Sequence, residues 1–316
     1  MYLMLKIGAP LALAVVSSAY AQSYPNKPIR ILTTITGGSQ DLTARFIGPP
    51  LAESLGQPVI VDNRGGLLSM ELAARATPDG HTLLLASASL WLLRYLQARV
   101  AWDPVKDFAP VTLAVTLPNI IAVHPALPVK SVSDLIARAR AQPGELNYSS
   151  GQTGSSSHLA GEMFNSLTKT KLTRIAYKGG GPAMLSVLSG EAQVSFPNAG
   201  SAAPYAQSGR IRALAVASTR PSTLFPGLVS AADAGLPGFE TGAMLAILAP
   251  AKTPSAIVAR LNQEIVKILN RGDVKQRLLQ SGVEVVAGTP QALAAVIESD
   301  SAVTGKLIRE AGIRVD

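Results

Sequence analysis

Two segments of this chain join an apolar, strand-like run to a turn of glycine, serine and threonine that opens a helix-like run. The first is ILTTITGGSQDLTARFI, from Ile31 to Ile47, and the second is LNYSSGQTGSSSHLAGEMF, from Leu146 to Phe164. The first residues of a helix carry backbone N–H groups without partners, and the helix dipole makes this end positive. Glycine and small hydroxyl residues let an anion approach those groups closely. The two turns together therefore predict a receptor that clamps one anionic solute from both sides.

The common catalytic motifs are missing from the sequence. It contains no G-x-S-x-G elbow, no P-loop, no G-x-G-x-x-G and no H-E-x-x-H, and its three histidines do not lie at metal-ligand spacing. Ser156 and His158 are the candidates for a hydrolase nucleophile and base. Side chains this close together at the start of a helix do not normally align with an oriented acid behind them. We therefore expect a helix cap here, no metal, no cofactor and no enzyme, with the hydrolase as the less favoured alternative.

Two other features near these turns allow two interpretations each. Asp41 could be a catalytic carboxylate, but a carboxylate in the first turn of a helix more often caps that helix and stiffens the turn. The run Gly179-Gly180-Gly181-Pro182 leads into another helix-like segment. It is either a third anion contact or a plain turn.

The N-terminal segment has the pattern of a secretory signal peptide. Lys6 precedes an apolar run from Ile7 to Val16, and the segment ends in A-Y-A at Ala21. The apolar run is too short to cross a bilayer, which takes about 20 residues. A signal peptide over residues 1–21 is therefore favoured over a membrane anchor, and we expect a soluble, periplasmic chain after cleavage near Ala21.

Composition narrows the possible partners. The chain has no cysteine, which excludes disulfides, thiolate metal sites and the attachment point of a lipoprotein. Its net charge is +8, but the basic residues form no run. A basic surface fits an acidic solute, although scattered solvated charge is the more usual cause. We expect no nucleic-acid partner.

Strand-like and helix-like segments alternate along the chain. Continuous apolar runs are typical of strands that are buried on both faces, and the candidates are Ile29–Thr34, Val59–Val61, Leu83–Ala86, Ile120–Val123, Val194–Phe196 and Ala213–Ala217. Helix starts are indicated by Ser131 with Asp134, by Thr253-Pro254 and by Thr289-Pro290, whose helix should stop at Gly312. This pattern predicts an α/β protein with mostly parallel sheets.

Proline spacing suggests where the chain crosses between two lobes. Prolines bracket a strand at Asn119–Val123, and Pro237-Gly238 precedes a second strand at Phe239–Leu248. If these two strands connect the lobes, residues 22–121 plus 242–316 form lobe 1 and residues 122–241 form lobe 2. Each lobe then carries one of the two anion turns.

The chain resembles a known family over all residues after the signal segment. The segments that carry the resemblance are YPNKPIRIL, GGSQD, LGQPVIVDNR, TPDGHTLL, WDPVKDFAPV, SSSHLAGE, AYKGGGPA, GRIRALAV and AGLPGFE. They resemble the solute-binding proteins of tripartite tricarboxylate transporters, also called the Bordetella uptake gene family. The resemblance implies a type II periplasmic binding protein fold, with two α/β lobes joined by a two-strand hinge and a ligand in the cleft.

The resemblance also implies a function and a site. Such proteins capture carboxylates and hand them to a membrane permease, and the turns at Thr36–Asp41 and Ser150–His158 would hold the carboxylate through N–H groups, hydroxyls and bridging water. We expect a monomer that binds a small organic acid and delivers it to the permease subunits. A ligand-sensing adaptor for a two-component system is the alternative that shares the same pocket. The residues expected at the ligand are Thr36, Gly37, Gly38, Ser39, Gln40, Asp41, Ser87, Ser150, Thr153, Gly154, Ser155, Ser156, His158, Lys178, Gly179 and Asn198.

Departures from the family pattern predict the character of the ligand. The loop at Gly65–Ser69 is shorter than usual, and Pro197 stands where an aspartate is common, so the acceptor for an ammonium group is missing. Apolar residues replace polar, small or indole positions at Leu67, Leu68, Leu90, Trp91 and Met244. We therefore expect an aromatic or medium-chain carboxylate, dicarboxylates included, rather than citrate or glutamate, unless several of these residues belong to the core.

Overall fold

The computed structural model describes residues 24–34, 36–37, 39–97 and 101–314. The predicted signal peptide and Gly38 lie outside the described residues. The strands are β1 (Ile29–Thr33), β2 (Val59–Asn63), β3 (Thr82–Ser87), β4 (Phe108–Pro118), β5 (Ile120–Val123), β6 (Asn147–Ser150), β7 (Thr173–Ala176), β8 (Val194–Ser195), β9 (Arg212–Val216), β10 (Gly242–Pro250) and β11 (Glu284–Val285). The helices are α1 (Ser39–Leu55), α2 (Gly66–Ala74), α3 (Ser89–Leu96), α4 (Val132–Ala141), α5 (Ser156–Thr168), α6 (Gly180–Leu188), α7 (Ala199–Gln207), α8 (Ser255–Leu269), α9 (Gly272–Gln280) and α10 (Pro290–Glu310).

The strands form two sheets. The first has the order β11-β4-β10-β3-β1-β2, and the second has the order β7-β6-β8-β5-β9. We call the first sheet with α1–α3 and α8–α10 the first lobe, and the second sheet with α4–α7 the second lobe. This arrangement agrees with the expected two-lobe α/β fold.

The two lobes are joined where β4 continues into β5 and where the chain returns into β10. Gly242 pairs with Pro118 at this point, and the Asn119 N–H donates to the Thr241 carbonyl at 2.9 Å. The two connecting strands lie side by side, as a two-strand hinge requires. Their bounds differ from the expected ones: β5 begins at Ile120 directly after β4, and β10 covers Gly242–Pro250. In β4 the register with β10 shifts between Pro110 and Thr112, beside the proline.

The expectation of mostly parallel sheets is wrong. Parallel pairing joins β1 to β2 and β3, and β6 to β7 and β8. Antiparallel pairing joins β10 to β3 and β4, β4 to β11, and β5 to β8 and β9. The physical reason is the crossing itself: one connecting strand leaves the first lobe and the other returns to it, so the two run in opposite directions.

Both faces of each sheet are buried, which explains the continuous apolar runs. In β1, Ile31 packs into the core cluster that contains Leu261 and Ile265 of α8, whereas its neighbour Leu32 packs into a second cluster with Trp91. Successive side chains of a strand point to opposite faces. Apolar residues at both positions therefore indicate that helices cover both sides of the sheet.

Local capping signals set most of the predicted helix starts. The Ser131 hydroxyl accepts from the Asp134 N–H at 3.0 Å, and the Thr289 hydroxyl accepts from the Ala292 N–H at 3.1 Å, so both predicted caps are confirmed. The start at Thr253 is one residue early, because α8 begins at Ser255 after Pro254. The Thr253 hydroxyl instead donates to the Pro250 carbonyl.

Candidate functional site

A cavity of about 760 Å³ lies between the two lobes. This volume is within the range of pockets that bury small organic ligands. The hydroxyl-bearing residues of its wall include Ser87, Ser89, Ser155, Ser156 and Thr241. Its apolar residues include Leu92, Leu159, Met163, Met244, Val296 and Val303, and its charged residues are Arg220, Glu240, Glu284 and Asp300.

The second turn contributes the start of α5 to this cavity. Gly154 adopts a φ of 79°, a left-handed conformation that favours glycine. Ser155 is the N-cap of α5, and its hydroxyl accepts from the His158 N–H at 3.4 Å. Among the described residues, no acceptor meets the backbone N–H groups of Ser156 and Ser157, which begin the helix. The second turn therefore presents unpaired donors at the positive end of a helix, next to the cavity wall.

His158 is buried and supports this turn. Its Nδ1 accepts from the Gly154 N–H at 3.1 Å. Burial, with a smaller effect from the nearby charge of Arg174, lowers the pKa of His158 to about 4, so the ring is neutral near pH 7. Its Nε2 lies 3.9 Å from Glu162 Oε1, a contact that is not an ion pair while the ring is neutral.

The geometry does not support the Ser156–His158 hydrolase. His158 Nδ1 is occupied by the Gly154 N–H, and no hydrogen bond joins the Ser156 hydroxyl to the imidazole among the described residues. A nucleophile requires such a base at hydrogen-bond distance.

The first turn is held together by Asp41, whose side chain is buried. Asp41 accepts from the Gly37 N–H at 2.9 Å, from Arg45 Nε at 2.9 Å and from Asn63 Nδ2 at 2.9 Å. Burial disfavours the charge of this carboxylate, but these donors outweigh burial and hold the pKa of Asp41 below its usual range. Asp41 therefore stabilises the turn, and the Gly37 N–H that could face a ligand is already used.

The two turns have the same backbone conformation and hydrogen-bond pattern, but their charged groups differ. Each has a glycine with positive φ, 86° at Gly37 and 79° at Gly154. In each, the glycine N–H donates to the side chain four residues later, Asp41 or His158. The first acceptor is a carboxylate that is paired with Arg45, and the second is a neutral ring, so the two turns differ in their charged groups.

Of the expected ligand-site residues, Ser87, Gly154, Ser155 and Ser156 line the cavity. The other described ones do not: Thr36 and Gly37 are exposed, Thr153 and Lys178 are exposed, and Ser39, Gln40 and Gly179 are partly exposed. Ser150 is fully buried, and its hydroxyl donates to the Gly151 carbonyl while it accepts from Arg174.

Asn198 lies at the crossing between the lobes and not on the cavity wall. Its amide donates to the Leu117 carbonyl at 3.1 Å and to Asn119 Oδ1 at 2.9 Å. It therefore ties the start of α7 to the hinge.

The residues expected to make the cleft apolar are only partly at the cavity. Met244 lines it, whereas Leu90 and Trp91 are fully buried in the core beneath it, and Leu67 and Leu68 are about half exposed, at 48% and 49%. The apolar surface comes instead from α3, α5 and α10, through residues such as Leu92 and Met163.

Two residues of the site carry no signal in the sequence pattern. Asp300 on α10 lines the cavity, and its carboxylate accepts from Trp91 Nε1 at 2.7 Å and from the Thr304 hydroxyl at 2.6 Å. Arg174 on β7 lies behind the second turn and donates to it. Both reach the site through tertiary packing, which a linear motif does not report.

The carboxylate of Asp300 can accept from the ammonium group of an amino-acid ligand, although Pro197 cannot. Pro197 is buried and does not line the cavity. The carboxylates of the cavity wall are acceptors that the sequence argument did not include. Among the described residues, no group of three or more acidic or histidine side chains can hold a metal ion, and no helix is long and apolar enough to cross a membrane.

Similar proteins share the fold and length of this chain. The model of the family described as "Tripartite tricarboxylate transporter family receptor" matches residues 43–313. The UPF0065 protein from the tcbD–tcbE intergenic region of Pseudomonas sp. strain P51 is 35% identical, over 96% of this chain and 94% of its own length.

Two solved structures extend the comparison. The R. palustris protein Rpa4515, solved with adipate, is 31% identical with a TM-score of 0.77, covering 92% of this chain and 100% of that one. MatC of Rhodopseudomonas palustris, solved with malate, is 28% identical with a TM-score of 0.73, covering 90% of this chain and 100% of that one. The chain belongs to the tripartite tricarboxylate transporter receptor family, and it is a solute-binding protein rather than an enzyme.

Proposed function

We propose that this protein captures an organic carboxylate in the cavity between its lobes and delivers it to the permease of a tripartite tricarboxylate transporter. The observation that carries the proposal is the start of α5, where the N–H groups of Ser156 and Ser157 lack partners among the described residues. Ser155 and Ser156 line the cavity beside them. A carboxylate at this position gains charge-assisted hydrogen bonds and the favourable end of the helix dipole.

The related structures support the ligand class. One was solved with adipate and another with malate, so carboxylates bind to relatives that cover nearly this whole chain. The first turn, with Thr36, Ser39 and Gln40, would reach the same ligand when the lobes close about the hinge. Its contribution would come through hydroxyl groups and water, because Asp41 already occupies the Gly37 N–H.

The proposal includes where the protein works and how it is divided. Cleavage after Ala21 would release a periplasmic monomer whose lobes are residues 22–121 plus 242–316 and residues 122–241. The sheets support two lobes with nearby bounds: the strands up to Pro118 and from Gly242 pair in one sheet, and the strands between them pair in the other, including Ile120 and Ile121 of β5.

We expect an aromatic or medium-chain carboxylate rather than citrate or glutamate; the preference over glutamate rests on the apolar wall alone, because the wall carboxylates can accept from an ammonium group. Apolar side chains of α3, α5 and α10 form much of the cavity wall, and they favour a ligand with an apolar body. Glu240, Glu284 and Asp300 outnumber the one arginine of the same wall, Arg220. These carboxylates repel the extra negative charges of a compact tricarboxylate.

Calorimetric titration of the purified protein tests the function. The panel contains adipate, malate, benzoate, terephthalate, citrate and glutamate, and we expect at least one of the first four to bind. The Ser156→Ala variant should bind that acid more weakly. Ser166→Ala is the matched control, because Ser166 is exposed on the same helix and does not line the cavity.

Two results would contradict parts of this proposal. A folded protein that binds no acid of the panel would refute the receptor for carboxylates. Tighter binding of citrate or glutamate than of every aromatic or medium-chain acid would refute the ligand preference alone. Delivery to a permease is tested separately by uptake of the labelled acid in cells with and without this gene, where loss of the gene should abolish high-affinity uptake.

A further inference from the structure

The guanidinium of Arg174 is directed entirely at the second turn. Arg174 lies on β7, the edge strand of the second sheet. Its Nε donates to Ser150 Oγ at 2.7 Å, its Nη2 donates to the Gly151 carbonyl at 3.0 Å, and its Nη1 donates to Thr153 Oγ1 at 3.3 Å. The planar guanidinium presents several donors in fixed directions, so it can hold these three acceptors at once. A lysine ammonium at the same place lacks this fixed, forked geometry.

The charge of Arg174 is not neutralised by a neighbouring carboxylate. Among the described residues, Arg174 forms no ion pair, whereas Arg45 at the first turn is paired with Asp41 at 2.9 Å. Its three acceptors at the second turn are two hydroxyls and a carbonyl, all neutral groups.

The field of Arg174 reaches the start of α5. Its charge helps to lower the pKa of His158, after the larger effect of burial. Glu162 also lies near His158, with its Oε1 3.9 Å from His158 Nε2, and its carboxylate accepts from the Tyr148 hydroxyl at 2.5 Å. The positive potential at this turn therefore adds to that of the unpaired N–H groups of Ser156 and Ser157.

We propose that Arg174 is a positioning residue that holds the second turn in its binding shape and supplies the positive charge that fixes the ligand carboxylate at this turn rather than at the first. The inference rests on the proposed function for the identity of the anion. It makes the two turns unequal: the carboxylate docks at α5, and the first turn, whose Arg45 charge is already paired with Asp41, contacts the uncharged part of the ligand or bridging water.

Three variants separate charge from hydrogen bonding. Arg174→Gln keeps part of the hydrogen bonding without the charge, and Arg174→Lys keeps the charge without the fork. Arg212→Gln is the matched control, because Arg212 is a partly exposed arginine of the same sheet that donates to the Pro125, Leu127 and Val129 carbonyls away from the site.

Adipate binding is measured by calorimetry as a function of sodium chloride concentration. For Arg174→Gln we expect Kd to rise by about 10–100-fold, the loss of a charge-assisted interaction, and to depend less steeply on salt. Arg174→Lys should retain the salt dependence with an intermediate Kd, and Arg212→Gln should match the wild type in both. The role of Arg174 would be overturned if Arg174→Gln kept the Kd and the salt dependence of the wild type. It would also be overturned if Arg212→Gln lost as much affinity for adipate as Arg174→Gln.

Two measurements on the protein without ligand keep this test separate from the proposed function. Amide hydrogen exchange over residues 150–158 should become faster in Arg174→Gln but not in Arg212→Gln. NMR titration of the His158 ring should give a higher pKa in Arg174→Gln and a pKa close to the wild-type value in Arg174→Lys. If no acid binds the wild type, the proposed function fails, but these two measurements still decide the role of Arg174. Unchanged hydrogen exchange together with an unchanged His158 pKa in Arg174→Gln would refute that role.

Discussion

A single methyl group at Gly200 should force the two lobes apart. Gly200 is the second residue of α7 in the second lobe, and Gly282 precedes β11 in the first lobe. A Cβ atom built on Gly200 would overlap the Gly282 Cα and would lie 2.7 Å from its carbonyl oxygen and 2.9 Å from its carbonyl carbon. All of these are backbone atoms, so no side chain can rotate out of the way.

The size of the effect follows from these contacts. Carbon atoms attract one another at about 3.5–4.0 Å, so the carbonyl carbon alone must retreat by roughly 0.6–1.1 Å, and the Cα by more. Close by, Glu284 Oε1 accepts from the Ser222 hydroxyl at 2.6 Å and from the Thr223 N–H at 2.8 Å. These bonds also join the two lobes, and the same displacement would lengthen them.

Overpacking of this kind costs about 1–3 kcal/mol. Replacing glycine by alanine inside a helix contributes up to about 1 kcal/mol in the opposite direction. Gly272→Ala measures that gain by itself, because Gly272 is the first residue of α9 and no heavy atom beyond its own neighbours lies within 4 Å of the added Cβ. We therefore expect Gly200→Ala to be less stable than Gly272→Ala by about 1–3 kcal/mol.

Urea denaturation of both variants and the wild type checks this expectation. The free energy of unfolding should fall in the order Gly272→Ala, wild type, Gly200→Ala. A Gly200→Ala variant as stable as Gly272→Ala would refute the reasoning, because it would mean that the lobes are not held in contact at this point.

Three further predictions concern polar side chains that accept hydrogen bonds within the fold. Asp41→Asn should lower the free energy of unfolding at pH 7 by about 1–3 kcal/mol. Because the pKa of Asp41 is lower in the folded protein than in the unfolded chain, the stability advantage of the wild type over this variant should be full above about pH 3.9 and shrink in stronger acid. Urea denaturation at several pH values checks both expectations. The pKa of His158 is about 4 in the folded protein and 6.5 in the unfolded chain, so the wild type should lose stability as the pH falls from 6.5 to 4. The His158→Gln variant should lose less stability across that window. Equal losses of stability in the two proteins would contradict the neutral, buried ring. Asp300→Ala should cost about 1–3 kcal/mol, because it removes the acceptor of the fully buried Trp91 indole N–H, while Asp300→Asn, which keeps an acceptor, should cost less in a denaturation followed by tryptophan fluorescence.

Much of the architecture was predictable because its signals are local. A cap such as Ser131 needs only a hydroxyl three residues before an N–H, and an apolar run such as Ile120–Val123 needs only its own side chains to favour a buried strand. The glycines of the two turns were recognisable for the same reason, since a turn that opens a helix is encoded by adjacent residues. The strand directions were not, because antiparallel pairing of β4 with β10 depends on how the chain crosses between lobes.

In the candidate site, some features also follow from local sequence and others only from tertiary packing. The sequence by itself determined that two glycine–serine turns open helices, that the chain has the family's pattern throughout, and that Ser155 and Ser156 begin α5. Only the tertiary structure decided which donors are free: Asp41 occupies the Gly37 N–H, and Arg174 engages the buried Ser150 hydroxyl. It also brought Asp300 of the last helix to the cavity that the start of α5 lines. Hydrogen bonds and charges between residues far apart in the chain arise only when the lobes pack, so no local pattern contains them.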